Sequence, residues 1–246
     1  ADSWSPETNL TGTGGTPAFT NTLSTTFDGV DDYVDQGIST TSSTGSVSVW
    51  IKPDLTNNRS FIAFDNGGYR NYIIIQSLSD GTLNAQCRVN PTVQWNVVTD
   101  NAVLSSTSWT HVIVTHNGTE PKIYIDGVAV AQTFTVSTNK TIWWNTFAPT
   151  RIRLGLFNIA GYGTAISYWL GTMDEFSIYE TELSQAQIAA IYNNGLPTSL
   201  TAYNSLVWLR CGDGDTPPTL INHGSSGING TMINMTIANF VADVPT

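Results

Sequence analysis

Lys122-Ile123-Tyr124-Ile125-Asp126-Gly127-Val128-Ala129-Val130-Ala131-Gln132 decides the fold class. Ile123 and Ile125 alternate before Asp126-Gly127, and Val128 and Val130 alternate after it. Alternation with period two puts one side of each run against a core. Asp-Gly between two such runs is a hairpin signal, because a type I′ turn needs positive φ at both central residues. The pattern spreads outward. In Ser46–Lys52, Val47, Val49 and Ile51 alternate with Ser48, Trp50 and Lys52. In Leu83–Val89 the odd positions are apolar, which turns Cys87 inward as a small hydrophobe. Arg151-Ile152-Arg153-Leu154 repeats the alternation. Short strands separated by turn clusters predict an all-β, two-sheet antiparallel sandwich.

One helix interrupts this pattern. Ser184 is placed to cap it, Ile188, Ile191 and Tyr192 recur at helical spacing, and Asn193-Asn194-Gly195 followed by Pro197 ends it.

The chain has 246 residues, enough for a large core, with 40% hydrophobic, 11% aromatic and 11% charged residues. The charged share is far below the usual quarter or so; Ser, Thr, Asn and Gly fill the surface instead. The net charge of −10 argues against tracking a phosphate backbone and against an anionic membrane surface. It is compatible with cations, neutral sugars or protein partners. No apolar run is long enough to cross a membrane as a helix, and the chain from Ala1 onward reads without a signal peptide, which is compatible with earlier removal of one. Cys87 and Cys211 do not make a disulfide framework and read as two separate buried thiols.

Five blocks carry a family resemblance. Thr26–Val34 (TFDGVDDYV), Ser46–Pro53 (SVSVWIKP), Trp109–Thr115 with Asn117-Gly118, Lys122–Val130, and Leu170–Tyr179 (LGTMDEFSIY) followed by Leu183-Ser184 and Ile191-Tyr192 resemble, in family order, laminin G-like jelly rolls of the concanavalin A-like type. The resemblance covers residues 23–196 and implies a jelly roll with one short helix. Residues 1–22 then read as an N-terminal arm, and 197–246 as a C-terminal β segment that packs on the sandwich or forms a small subdomain. In that last segment Leu206–Asp215 (LVWLRCGDGD) and Gly227–Met232 (GINGTM) resemble a pattern that usually opens the fold. In carrying it late, the chain resembles virion or tail-associated proteins of marine phages. A displaced opening segment predicts that Leu206–Leu209 completes a sheet edge, in its own domain or in a neighbouring subunit of a homo-oligomer.

Glycosidases of this superfamily need paired carboxylates about 5–5.5 Å apart for retention, and Glu7, Glu120, Glu175, Glu180 and Glu182 do not form such a pattern. Asp174 and Glu175, as strand neighbours, are expected on opposite faces, as are His111 and His116; the histidines read as surface or edge residues. There is no Gly-rich phosphate loop and no Cys-x-x-Cys. Asp174 reads as inward, beside Phe176 and Ile178, and an inward carboxylate needs donors or a cation. The resemblance implies a structural calcium ion joining the first strand turn to the last strands, held by Asp28, the Gly29 carbonyl and Asp174, with Asp31 and Asp32 as alternatives. Asp213-Gly214-Asp215 reads as a turn. For glycans, the candidates are Trp143, Trp144 and Asn145, with Trp95, Tyr69, Arg70, Tyr162 and Tyr168; Trp50 and Trp109 fall at core positions of the family pattern. The expected function is a non-enzymatic surface or adhesion module on a virion or outside a cell, recognising other surface proteins or glycans, or a free lectin-like domain, with no nucleic acid and no membrane insertion.

Overall fold

The computed structural model describes residues 19–67, 70–158 and 166–246. Among them the chain runs through β1 (Ser24–Asp28), β2 (Tyr33–Gly37), β3 (Gly45–Pro53), β4 (Arg59–Asp65), β5 (Tyr72–Ser77), β6 (Leu83–Val89), β7 (Thr92–Thr99), β8 (Thr110–His116), β9 (Pro121–Ile125) and β10 (Val128–Ala129). It continues through β11 (Gln132–Ser137), β12 (Arg151–Leu154), β13 (Leu156–Asn158), β14 (Ile166–Tyr168), β15 (Leu170–Tyr179) and the helix α1 (Gln185–Tyr192). The last strands are β16 (Val207–Leu209), β17 (Thr219–Leu220), β18 (Gly230–Ile233) and β19 (Phe240–Val241). Two antiparallel sheets face each other. One has the order β10-β9-β8-β3-β15-β1-β19, with β16 also on β15; the other is β11-β7-β6-β5-β4-β12-β2-β18-β17. A small hairpin, β13–β14, leans on β4.

The expected alternation builds the core. Val47, Val49 and Ile51 of one sheet meet Ile73, Ile75, Ala85 and Cys87 of the other, all buried. Asp126 and Gly127 close the β9–β10 turn with φ of 49° and 78°, the pair of positive values a type I′ turn requires. Ser184 caps α1 through a reciprocal box with Gln187, and Asn193 ends it in the left-handed region. Ile188 and Ile191 of the helix pack on the outer face of the first sheet with Ile113, Tyr124 and Trp208.

The C-terminal strands lie within the two sheets. β18 pairs with β2 and carries β17 outward. β15 is ten residues long and is shared along its edge: β1 takes Leu170–Met173 and β16 takes Phe176–Ile178. Between them Glu175 adopts φ of 47° and the pairing with β3 slips by one residue. That bulge corrects the expected facing. Asp174 lies opposite Trp50, on the outer side, whereas Phe176 and Ile178 enter the inter-sheet core. Glu175 does not alternate away from Asp174, because a left-handed residue interrupts the pleat. Cys87 and Cys211 are both buried and free.

Candidate ligand-binding site

The outer face of the larger sheet carries a row of planar polar groups beside the β13–β14 hairpin. Cross-strand neighbours share a face, and the register Ala63–Ile74–Gln86–Asn96 runs across β4 to β7. The Tyr72 hydroxyl donates to Gln86 Oε1 at 2.9 Å, and Gln86 Nε2 donates to Asn96 Oδ1 at 2.9 Å. Asn84 Nδ2 reaches the same Asn96 oxygen at 2.9 Å, and Asn96 Nδ2 donates to Thr135 Oγ1 at 2.6 Å. Each amide is thereby fixed in orientation, while Gln86 and Asn96 stay partly open to solvent and Thr135 is exposed.

At the β4–β12 end of the row, Asp65 accepts from Arg151 Nε at 2.6 Å and lies 3.2 Å from Arg153 Nη1. Beside them, Phe157 of the β13–β14 hairpin meets Tyr72 edge-on, with centroids 5.0 Å apart. The two rings pack with Ala63 and Ile74, and they form with Asp65, Asn71 and Asn158 a small depression on this face. The face thus combines neutral amides and hydroxyls, a carboxylate held by two guanidinium groups, and aromatic rings.

The tryptophans expected to bind sugar are elsewhere. Trp95, Trp143 and Trp144 are all 0% exposed, so none can present a ring to a ligand. They instead stack through the core, Trp95 on Trp143 at 6.0 Å and His116 on Trp143 at 4.8 Å. Asn145 is exposed in a short 3-10 turn behind them. Tyr69 and Tyr162 lie outside the described residues. Arg70 is exposed and Tyr168 half-buried. Trp109 departs from its expected core position and is only half-buried. The histidines do face opposite ways, but neither is a surface residue: His111 is 1% and His116 0% exposed. What the sequence reading missed is the amide row, whose signal was the polar half of the same alternation that fixed the core: Asn84 and Gln86 in β6, and Asn96 in β7.

The first strand turn holds an acidic cluster. Carboxylate oxygens of Asp28, Asp31 and Asp32 lie within 4.8 Å of one another. Asp28 Oδ1 accepts from the backbone N–H groups of Val30, Asp31 and Asp32. Burial pushes the Asp28 carboxyl up, and these backbone donors more than offset it and hold it below the usual range. Burial, then the charge of Asp28, push Asp32 the other way. No ion pair among the described residues reaches the three. All-oxygen donors without a cationic partner suit calcium, which takes about 6–8 oxygens; carbonyls or water must supply the remainder. Asp174 is not part of this group. Asp28 pairs with Leu170 and Thr25 with Met173, so Asp174 lies four residues along β15, roughly 13 Å from the turn at the strand rise. The Gly29 carbonyl already accepts from Arg59 Nη1 at 3.0 Å.

With this geometry in place, comparisons with known proteins fix the relationship. The laminin G family model described as the concanavalin A-like lectin/glucanases superfamily matches residues 28–189. The chain belongs to that superfamily. No curated protein matches it. Among solved structures, this concanavalin A-like chain is similar to a putative carbohydrate binding protein from Bacteroides ovatus, at a TM-score of 0.64 and 16% identity over 92% of this chain and 62% of that one. It is also similar to a heptameric SAP-like pentraxin from Limulus polyphemus, at 0.53 and 15% over 70% and 82% of the two chains. A third similar structure is the CBM40 of a Ruminococcus gnavus IT-sialidase bound to α2,3 sialyllactose, at 0.52 and 12% over 69% and 97%. These likenesses establish the fold, a concanavalin A-like sandwich with no helix long and apolar enough to cross a membrane among the described residues.

Proposed function

We propose that the chain is a non-catalytic glycan-binding module, working outside a cell or at the surface of a virus particle, and that the outer face of the larger sheet is its binding surface. One observation carries the proposal: the row from Tyr72 through Gln86 and Asn96 to Thr135, with Asn84 joining it, is hydrogen-bonded into a fixed array before any ligand arrives. Sugars expose hydroxyls that both donate and accept, and amides offer both roles. Groups held in place lose little freedom on binding, so more of each contact appears as affinity. Phe157, partly exposed beside the row, supplies apolar surface for a pyranose ring. The similarity to the Bacteroides ovatus and Ruminococcus gnavus structures, a putative carbohydrate binding protein and a complex with sialyllactose, supports the reading.

The charge balance favours a neutral or weakly charged glycan. Asp65 is matched by Arg151 and Arg153, so the face carries no large field of one sign. Catalysis is not part of the reading: Asp174 and Glu175, the adjacent carboxylates in β15, are buried, and Glu175 is engaged by Trp208 and Arg210. In the same proposal, Asp28, Asp31 and Asp32 hold a structural calcium ion that braces the turn between β1 and β2.

A glycan array followed by titration of the hits tests the proposal. Gln86→Ala and Asn96→Ala, each at a partly exposed amide, are expected to weaken binding about tenfold, the loss of one or two hydrogen bonds to the ligand, and to lower the melting temperature while leaving the chain folded, because each also removes a partner within the row. Binding that both variants leave intact would move the site elsewhere.

A further inference from the structure

The opposite side of the sandwich has a cleft of about 370 Å³, lined among others by Trp50, Lys52, Trp109, Asp126, Tyr192 and Asp243. It lies on the outer face of the other sheet, across the core from the amide row. Its charges sort into a neutral pair and one carboxylate left over. The Asp243 carboxylate takes the Lys52 ammonium and, at 3.1 Å, the Trp109 indole N–H. Asp126 makes no ion pair among the described residues; its Oδ1 accepts the backbone N–H of His111 at 2.9 Å. His111 lies beneath Trp50, their rings 4.7 Å apart, and burial depresses its pKa to about 3, so it brings no positive charge.

Two further features favour a cation. The C-terminal end of α1 closes the cleft at Tyr192 and Gly195, and a helix C-terminus bears partial negative charge on its free carbonyls. Trp109 and Tyr192, both partly exposed, line the cleft; Trp50 is stacked on Tyr192 at 5.7 Å, and the Lys52 ammonium, 5.9 Å from the Trp109 ring, is a cation already held against one of these rings. Rings of this kind around an unpaired carboxylate attract an organic cation more than a neutral ligand of the same shape. Burial pushes the Asp126 carboxyl up, as it would for an anion lacking a partner.

We infer that this cleft is a second binding site, separate from the glycan surface, and that it takes an N-methylated alkylammonium group, with Asp126 as counter-ion and Trp109 and Tyr192 as ring contacts. A methylated ammonium has few or no N–H groups to satisfy, which suits a cleft whose acceptors are largely occupied.

Titrating the full chain with tetramethylammonium and with an N-acetylated, trimethylated lysine amide tests this, with the Trp109 indole N–H signal as readout. Saturable shifts with either probe support the site, and which of them binds tighter distinguishes a free alkylammonium ion from a methylated side chain. The neutral isostere 3,3-dimethylbutan-1-ol is expected to bind about tenfold more weakly, as loss of the cation–π and charge terms implies. Asp126→Asn removes the charge yet keeps Oδ1 for His111 N–H, and Asn tolerates the left-handed turn conformation. Its melting temperature is expected to hold while ammonium affinity falls about tenfold. Equal binding of the neutral isostere, unchanged affinity in Asp126→Asn, methyl glycosides competing where ammonium does not, or no shift at millimolar probe would overturn the inference. Gln86→Ala is expected to leave the ammonium titration untouched, so failure here and failure of the glycan reading are separable.

Discussion

Replacing Glu175 by Gln takes a carboxylate out of the seam in β15 and leaves an amide of nearly the same shape. The seam is where β1 stops pairing with β15 and β16 begins. Glu175 is 4% and Asp174 0% exposed there. Burial raises the Glu175 pKa from its ordinary 4.5 to about 7; the Trp208 indole N–H and the Arg210 guanidinium, 3.3 Å away, pull it down only in part. Burial, and then the charge of Glu175, raise Asp174 well above its ordinary range. The folded chain therefore keeps the Glu175 proton up to about pH 7, whereas the unfolded chain gives it up near 4.5. Between those values the folded state binds more protons, so stability drops as pH rises. From 4.5 to about 7, at about 1.4 kcal/mol per pH unit, the loss amounts to about 3 kcal/mol. Buried neutral His111 acts in the opposite direction, adding stability as pH climbs from about 3 to 6.5, so the wild-type curve alone mixes the two. The difference between wild type and Glu175→Gln removes the histidine contribution. Urea unfolding at fixed ionic strength from pH 4.5 to 8 should show the variant gaining on wild type by about 3 kcal/mol across that range, and levelling off above it. A difference that stays constant with pH would refute the account of the seam.

Gly45→Ala places a Cβ 2.0 Å from Trp144 Cζ2 and 2.9 Å from the Tyr179 carbonyl; thermal unfolding should show a loss at or above the ~1–3 kcal/mol usual for overpacking. If calcium sits at the Asp28–Asp31–Asp32 turn, a hundredfold excess over its dissociation constant should stabilise the fold by about 2.7 kcal/mol. Asp31→Ala, at an exposed side chain, should abolish that response and Asp174→Ala should not; a melting curve indifferent to chelator removes the ion. Deleting residues 204–246 strips β16–β19 from both sheets and opens the seam, so the shortened chain should aggregate during purification. A soluble, folded, monomeric product would show that these strands complete nothing.

What was legible in the sequence depended on whether local spacing carried the information. The β9–β10 hairpin was readable because Asp126-Gly127 is a backbone demand written in two adjacent residues. The same holds for Ser184 and Asn193 at the ends of α1. The placement of Asp174 and Glu175 was not readable, because alternation assumes an unbroken pleat and the bulge arises from a distant event: two different strands, 24–28 and 207–209, meet along one edge of β15. The tryptophans misled for a related reason. An aromatic pair in a Thr- and Asn-rich stretch looks like a surface platform, yet Trp143 and Trp144 are drawn under the end of the sandwich, where Gly45 has no side chain and leaves room for the Trp144 ring. The amide row was present in every strand pattern as the residues left over once the core was assigned. Its meaning came only from register, which sets Gln86 beside Asn96 and within reach of the Tyr72 hydroxyl. In this fold the apolar half of each alternation specifies the sandwich. The polar half acquires a function only where neighbouring strands align it into one surface.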